Sequence, residues 1–315
     1  MKNVFKKIGI IFIDALLTGV ALIVFALFHH VLPRDVKSEN TVIESNENIN
    51  SCSCDGQTNN TDTDLYSKEL IYTDEEYKSE NINIKISHIS EQFENKNVNY
   101  HVADIHIKNI ESFQTAFAKD KFGKGYNEWL KNIAQRNNAI LAINGDYYGL
   151  NSKGVVIRNG VLYRKETIKG DIGVLYRNGV LKTYSNSEFN ADEVIANGAW
   201  QAWNFGPGLL DDDGKVKDSY RSSVTPRNPR TAIGYVSPGH YIFVVVEGRT
   251  KDSAGVTMSQ LASIFEKYEC KSAYNLDGGQ SSTMIFNDKI INKFPDAEGE
   301  RTLSDAIIIK EVTNE

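Results

Sequence analysis

Ala273-Tyr274-Asn275-Leu276-Asp277-Gly278-Gly279-Gln280-Ser281-Ser282-Thr283 runs from a short apolar segment into one carboxylate, two glycines and two hydroxyls. Residues without bulk after an acid let a ligand approach the backbone and its N–H groups, so the stretch reads as a binding site at a strand end. Ala139-Ile140-Leu141-Ala142-Ile143-Asn144-Gly145-Asp146-Tyr147-Tyr148-Gly149 has the same grammar, again passing from apolar strand to glycine and acid. A helix-like segment precedes each. Tyr126, Trp129, Leu130, Ile133 and Ala134 recur at helical spacing before the first, and these aromatics read as core. Before the second, Thr257-Met258-Ser259-Gln260 has the form of a capping box, followed by the apolar face Met258, Leu261, Phe265 and Tyr268. One helix–strand–acid unit used twice would bring Asp146 and Asp277 to one cleft.

Strands dominate the remainder. Asn81 to Ile89 and Tyr100 to Ile107 alternate with period two. His101 and His106 stand at an odd spacing in the second run, hence on opposite faces and not in one metal site. Arg-Asn-Gly-Val-Leu occurs twice, at Arg158 to Leu162 and Arg177 to Leu181, and Asn-Gly suits a type I′ hairpin, so Val155 to Tyr184 is expected to form a four-stranded meander. Ala199 to Leu210 reads as an aromatic, glycine-punctuated loop that stacks on a sugar or plugs the sheet, the structural role being favoured. Asp211-Asp212-Asp213-Gly214 lacks the spaced ligands of a calcium loop and reads as a solvated turn. A hairpin is expected around Asn287-Asp288, before a last strand Ala306 to Ile309. Runs of strands with two packed helices, without regular βαβ alternation, define an α+β fold with mixed, hairpin-rich sheets.

With 315 residues, 41% hydrophobic and 24% charged, the chain can bury a substantial core, and a net charge of −6 gives no basic footprint for nucleic acid. Ile8 to Phe28 is almost continuously apolar, with Asp14 its only charge and Lys2, Lys6 and Lys7 ahead of it. We read residues 1–32 as a cytoplasmic stub and one transmembrane helix, because the run exceeds a signal-peptide core and no clear A-x-A cleavage site follows it. That places the rest outside the cell membrane. Residues 33–80 have the composition of a flexible polar stalk, with at most a helical turn in Leu65 to Glu80, and residues 81–315 form the folded domain. Cys52-Ser53-Cys54 is too tight for a familiar pattern and Cys270 reads as a buried thiol.

Collected at strand ends, the polar residues are Asn144, Asp146, Arg230, Glu247, Arg249, Asp277, Ser281 and Ser282. No Ser-His-Asp spacing, Gly-x-Ser-x-Gly elbow, zinc signature or Walker loop is present. Acids mixed with arginines and Gly-Ser backbone fit an anionic, oxygen-rich ligand: guanidinium groups grip phosphate while a carboxylate works at carbon or on water. Asp146, Glu247 and Asp277 with the Asn144 carbonyl also offer hard oxygen ligands, leaving Ca²⁺ or Mg²⁺ open. Singly, each residue has an ordinary structural explanation in local backbone bonding or a salt bridge; the joint pattern favours a site.

Asn144-Gly145-Asp146, Asn228-Pro229-Arg230-Thr231-Ala232, Glu247-Gly248-Arg249 and Leu276-Asp277-Gly278-Gly279-x-Ser281-Ser282 resemble, in order over Ala139 to Ile309, the signature blocks of the phosphodiester glycosidase family. One departure is Glu247-Gly248-Arg249 where the family carries Asp-Gly-Arg. The resemblance implies hydrolysis of a glycosyl-1-phosphodiester, such as an N-acetylglucosamine-1-phosphodiester, to free sugar and a phosphomonoester in an extracytoplasmic glycopolymer. Asp277, Glu247 or Asp146 would supply the catalytic carboxylate. Asn144, Arg230, Arg249, Gly278, Gly279, Ser281 and Ser282 would bind substrate. The rival is a noncatalytic surface tether that binds anionic glycans with the same arginines.

Overall fold

Alternation of apolar and polar residues makes Ile82–Phe93 and Lys96–Ile107 two twelve-residue strands, joined by a tight turn in which Glu94 and Asn95 take φ of 53° and 60°. They form the spine of a seven-stranded antiparallel sheet in the order Ser272–Asn275, Arg230–Ser237, His240–Val246, Lys96–Ile107, Ile82–Phe93, Glu76–Lys78, Ile71–Tyr72. The computed structural model describes residues 2–28, 32–43, 65–220, 222 and 225–312, with side chains inside the first helix described from Ile13 onward. Cys52 and Cys54 therefore lie outside the described residues.

One face of this sheet, carrying Val102, Ile242, Val244 and Val246, is covered by the helix Met258–Lys267 through Met258, Leu261, Ala262, Ile264 and Phe265. The helix starts where the sequence places it: Thr257 Oγ1 accepts from Gln260 N–H, and the Gln260 side chain accepts from Thr257 N–H, satisfying two donors that a helix start leaves open. The opposite face, with Ile84, Ile105 and Phe243, enters the central core.

A five-stranded sheet meets that core from the other side, in the order Lys289–Ile290, Met284–Phe286, Leu141–Asn144, Asp305–Ile309, Phe113–Phe117. Leu141, Ile143, Met284, Phe286, Ile307 and Ile309 point inward, whereas Ala142, Ile285, Ala306 and Ile308 lie under the helix Leu130–Arg136. Each fully buried apolar side chain of this kind contributes roughly 1.5–3 kcal/mol. The helix is shorter than its aromatic stripe suggests: Trp129 precedes it and is 45% exposed, so the core is built from Leu130, Ile133 and Ala134. The repeated helix–strand unit is thus real, each copy closing the outer face of its own sheet.

The third sheet corrects the expected meander. Its order is Leu181–Tyr184, Ile172–Tyr176, Ala199–Trp203, Val156–Arg158, Val161–Arg164, Thr41–Val42, so the segment expected as a loop, Ala199–Trp203, is a buried strand wedged between the two hairpins. Trp200 and Trp203 fill the central core and leave no stacking face for a sugar. The first Asn-Gly forms the expected turn, with Asn159 and Gly160 at φ 53° and 73°. The second does not: only Gly179 is left-handed, and Tyr176 N–H to Val180 O closes a three-residue loop, an alternative that Asn-Gly also serves.

Upstream segments are less detached than their composition suggests. Arg34–Asp35 pairs with Gly123–Lys124, Thr41–Val42 pairs with the third sheet, and Leu65 to Glu80 contributes edge strands instead of a helical turn. Lys2–Ala26 is helical, and its described apolar side chains, Leu16, Leu17, Leu22 and Ile23 among them, are exposed. Among the described residues, no helix is long and apolar enough to cross a membrane.

Candidate active site

The two acid-bearing loops meet. Asn144 Nδ2 donates to Asp277 O at 2.8 Å, and Asp277 N–H donates to Gly145 O at 3.3 Å. Asn144 Oδ1 accepts from Thr231 Oγ1 at 2.7 Å and Thr283 N–H at 3.4 Å, so this wholly buried amide stitches together the ends of strands from two sheets. The Asp277 carboxylate accepts from Gly278 N–H at 2.9 Å and Ser281 Oγ at 2.6 Å, and the residue itself is partly exposed. Burial of the carboxyl raises its pKa above the ordinary value; Ser281, the Arg301 charge and Gly278 N–H oppose that, and Asp146 adds to it. Arg301, which the sequence reading passed over, lies with its guanidinium 4.6 Å from the centre of the Tyr147 ring.

Asp146 has a different environment. It is buried, its Oδ1 accepting from Arg158 Nη2 at 2.8 Å and its Oδ2 from Asn204 N–H at 3.0 Å. Arg158 also reaches Asp305 Oδ2 from Nε at 3.1 Å and Nη2 at 2.9 Å, while Nη1 donates to the carbonyls of Ile157 and Ala202. Two carboxylates therefore share one guanidinium in the interior. Burial pushes the Asp305 carboxyl up to about 7 against the pull of Arg158, and Asp305 Oδ1 is buried without a hydrogen-bond partner. That oxygen lies where a side chain at Gly145 would begin: a Cβ there would sit 2.1 Å from it, which accounts for the glycine. Arg158 and Asp305 were not recognised from the sequence, where Arg158 read only as the flank of a turn.

Glu247 directly follows the strand His240–Val246, and Arg230 stands opposite Val246 in register, so these two strand-end residues share one end of the sheet. Glu247 Oε1 accepts from His101 Nε2 at 2.9 Å and Lys293 N–H at 2.8 Å; Oε2 is buried and unpartnered. His88, opposite His101 in register, holds that ring from behind with Nδ1···Nδ1 at 2.6 Å. Burial opposes ionisation of Glu247, but His101 and Lys293 N–H outweigh it and hold its pKa below the ordinary value.

Arg249 has φ 54° and is exposed; it pairs with Glu298 at 2.8 Å and donates to Asn228 Oδ1 at 2.7 Å. Gly279 faces that guanidinium, its hypothetical Cβ 3.6 Å from Arg249 Nη1. Gly278 lies against Pro229 O, where a Cβ would come within 2.7 Å. Arg230 is buried and donates to the carbonyls of Val256 and Pro226; burial, then Arg249, lower its pKa to about 10. Ser282 Oγ is buried without a partner. Asp146, Glu247 and Asp277 do not bring three carboxylate oxygens within 4.8 Å of one another, and both Asp146 oxygens are engaged, so the described residues form no three-carboxylate cradle for Ca²⁺ or Mg²⁺. A separate cleft of about 480 Å³ beside Asp171, Tyr184, Pro207 and Tyr220 holds none of these residues. Asp211 is a turn residue, as expected, its Oδ1 accepting from Asp213 and Lys215 N–H. Cys270 is buried, and burial pushes its thiol up to about 12.

The sequence profile of the phosphodiester glycosidase family matches residues 137–310, the span that carries both acid loops and the arginines between them, and the chain belongs to that family. Among curated proteins it is similar to the SPbeta prophage-derived uncharacterized protein YomE of Bacillus subtilis (strain 168), 32% identical over 197 residues. That match covers 60% of this chain and only 30% of the relative's length. Among solved structures, the zebrafish N-acetylglucosamine-1-phosphodiester alpha-N-acetylglucosaminidase catalytic domain shares the fold with a TM-score of 0.60 at 20% identity, covering 79% of this chain and 87% of that one. A hypothetical protein from Synechocystis superposes with a TM-score of 0.55 at 14% identity, covering 73% of this chain and 62% of its own.

Proposed function

We propose that the chain hydrolyses a glycosyl-1-phosphodiester at the anomeric carbon, with an N-acetylglucosamine-1-phosphodiester in an extracytoplasmic glycopolymer as the substrate class. Family membership supports the reaction type. The observation that carries the site assignment is the placement of Asp277, a partly exposed residue with a buried carboxyl, where the two acid loops join, within the field of Arg301. A phosphomonoester departs from carbon far more readily than an alcohol, so stabilising its charge matters more than protonating it. Arg249 and Arg301 serve that end, and Asp277 attacks the anomeric carbon or takes the proton of the attacking water. Glu247, with one oriented and one unpartnered oxygen, is the second carboxylate. Asp146 and Arg230, both buried and bonded inward, hold the loops.

The test follows free sugar and new phosphomonoester from an N-acetylglucosamine-1-phosphodiester added to the full chain, with a panel of other glycosyl phosphodiesters beside it. No release from any of them, with measurable binding to an anionic glycan, supports the tether instead.

Arg249 presents a distinct prediction. In the free protein Glu298 occupies its guanidinium, so an incoming phosphate must displace that carboxylate. Arg249→Ala is expected to raise KM about 10–100-fold, the loss of a charge-assisted bond. Glu298→Ala is expected to lower KM; unchanged KM in both variants removes Arg249 from the phosphate site.

The localisation belongs to the same proposal and rests on the sequence: the apolar run Ile8 to Phe28, preceded by Lys2, Lys6 and Lys7, holds the domain at the cell membrane. Full-length chain that stays in the supernatant after membranes are pelleted, without detergent, would overturn it.

A further inference from the structure

At the end of the seven-stranded sheet away from Glu247, a polar cluster interrupts an otherwise apolar face. Asp104 and His106 are two residues apart on Lys96–Ile107 and so share a face. His240, the first residue after the Ser237-Pro238-Gly239 turn, stands directly opposite His106. Ile107 N–H to Gly239 O at 2.8 Å flanks that pair, making it the closely spaced, non-hydrogen-bonded kind with Cα atoms about 4.5 Å apart. His240 Nε2 is 2.9 Å and His106 Nε2 3.3 Å from the same Asp104 oxygen, and the two rings stack with centroids 3.9 Å apart at 23°. All three donor atoms lie within 4.8 Å of one another on partly exposed side chains.

An ordinary salt bridge needs one imidazole. Here two aim their Nε2 atoms at one carboxylate oxygen with their planes stacked, an arrangement in which two imidazolium charges would repel, whereas two neutral rings are suited to sharing a cation. Ligand atoms around a tetrahedral ion with bonds of about 2.0–2.1 Å lie about 3.3–3.4 Å apart, so the 2.9 and 3.3 Å separations require little spreading.

We propose that Asp104, His106 and His240 form a binding site for one divalent transition-metal ion of the zinc type, separate from the glycosidase site. Two imidazoles and one carboxylate select zinc, cobalt or nickel over calcium and magnesium, and solvent supplies the fourth position. On binding, the ion replaces the Nε2 proton that each ring shares with Asp104 in the free protein, so that each imidazole is neutral with its proton on Nδ1 and gives its Nε2 lone pair to the ion. The strand His240–Val246 separates the cluster from Glu247 by seven residues, about 20 Å at the usual rise. The ion therefore acts on the fold: it clamps two central strands and the turn that joins Arg230–Ser237 to His240–Val246.

The experiment uses the full chain, stripped with a chelator and titrated near neutral pH with Co²⁺, then Zn²⁺, by visible absorption and calorimetry. His29, His30, Cys52 and Cys54 offer other soft donors, so binding is assigned by comparison with the His106→Gln/His240→Gln variant. The expected result is one more bound ion per chain in the native protein than in the variant. Each single histidine substitution should weaken that site at least about tenfold, and Zn²⁺ at a hundredfold excess over Kd should raise the thermal midpoint by roughly 5 °C or more in the native chain alone. If the double variant does not fold, Asp104→Asn, which keeps both imidazoles, serves instead, with the same weakening expected. Equal stoichiometry and affinity in native and folded variant chains, or no binding to the native chain, overturns the proposal. Binding is read without turnover, so failure here leaves the glycosidase reading untouched, and the reverse.

Discussion

Asp277→Asn is expected to lower kcat on a glycosyl phosphodiester by roughly 10²–10⁴-fold, the range for removing a positioned base, with a larger loss if the carboxylate is the nucleophile. KM should change little, because the substitution removes a negative charge from beside Arg301 without touching a cation. The fold should survive: an asparagine oxygen can still accept from Gly278 N–H or Ser281 Oγ, and the Asn144 bond is to the backbone carbonyl of residue 277, not to its side chain. The pH profile carries independent information. With its pKa raised by burial, Asp277 gives up its proton at a higher pH than an ordinary aspartate, so the rising limb of kcat/KM should be displaced upward from that of an exposed carboxylate and vanish from the residual rate of the variant. Full turnover by folded Asp277→Asn protein would move the catalytic role elsewhere, with Glu247 next to be tested. Affinity for an anionic glycan that is retained while turnover is lost separates an enzyme from a tether.

The parts of this site that were legible in the sequence are those fixed by local physics. An apolar run ending in Asn-Gly-Asp or Leu-Asp-Gly-Gly is a strand end whatever its neighbours do, and the Thr257 capping box is a contract among four adjacent residues. Two strands joined by a tight turn and paired over seven residue pairs likewise bring their far ends together, which puts Arg230 beside the end of the strand that leads to Glu247. What was not legible depends on pairings between distant segments. Arg158 and Asp305 are 147 positions apart and belong to different sheets; only the packing of those sheets turns a hairpin's flanking arginine inward to meet an acid at a strand start. Period-two reasoning separated His101 from His106 correctly, but the partners that matter, His88 and Glu247 for the first, Asp104 and His240 for the second, follow from cross-strand register. The Ala199–Trp203 strand was hidden for a related reason: fully buried on both faces, it has no alternation to reveal it.

Arg158→Met is expected to be the most destabilising single change at the site, costing about 3–5 kcal/mol at pH values above neutrality, as measured by chemical denaturation. The side chain is of similar length and apolar, so packing loss is small; the cost comes from leaving Asp146 and Asp305 buried with no compensating cation. The effect should shrink on acidification, because buried carboxyls without a partner take up protons and escape much of the penalty. The same physics acts on Asp305 in the native chain. Burial raises its carboxyl from an ordinary 3.8 to about 7, so between those pH values the folded state holds a proton that the unfolded state has released. Its stabilisation is complete below the unfolded pKa, falls as pH rises from about 4 to about 7, and is gone above that. Asp305→Asn should therefore flatten the stability profile across that window in the native background. In the Arg158→Met background it should recover part of the loss at high pH, since one of the two unpaired charges is then absent. A denaturation midpoint for Arg158→Met that equals the native value at high pH, or a loss that does not diminish toward pH 5, would mean that the guanidinium is not what holds these two acids in the interior.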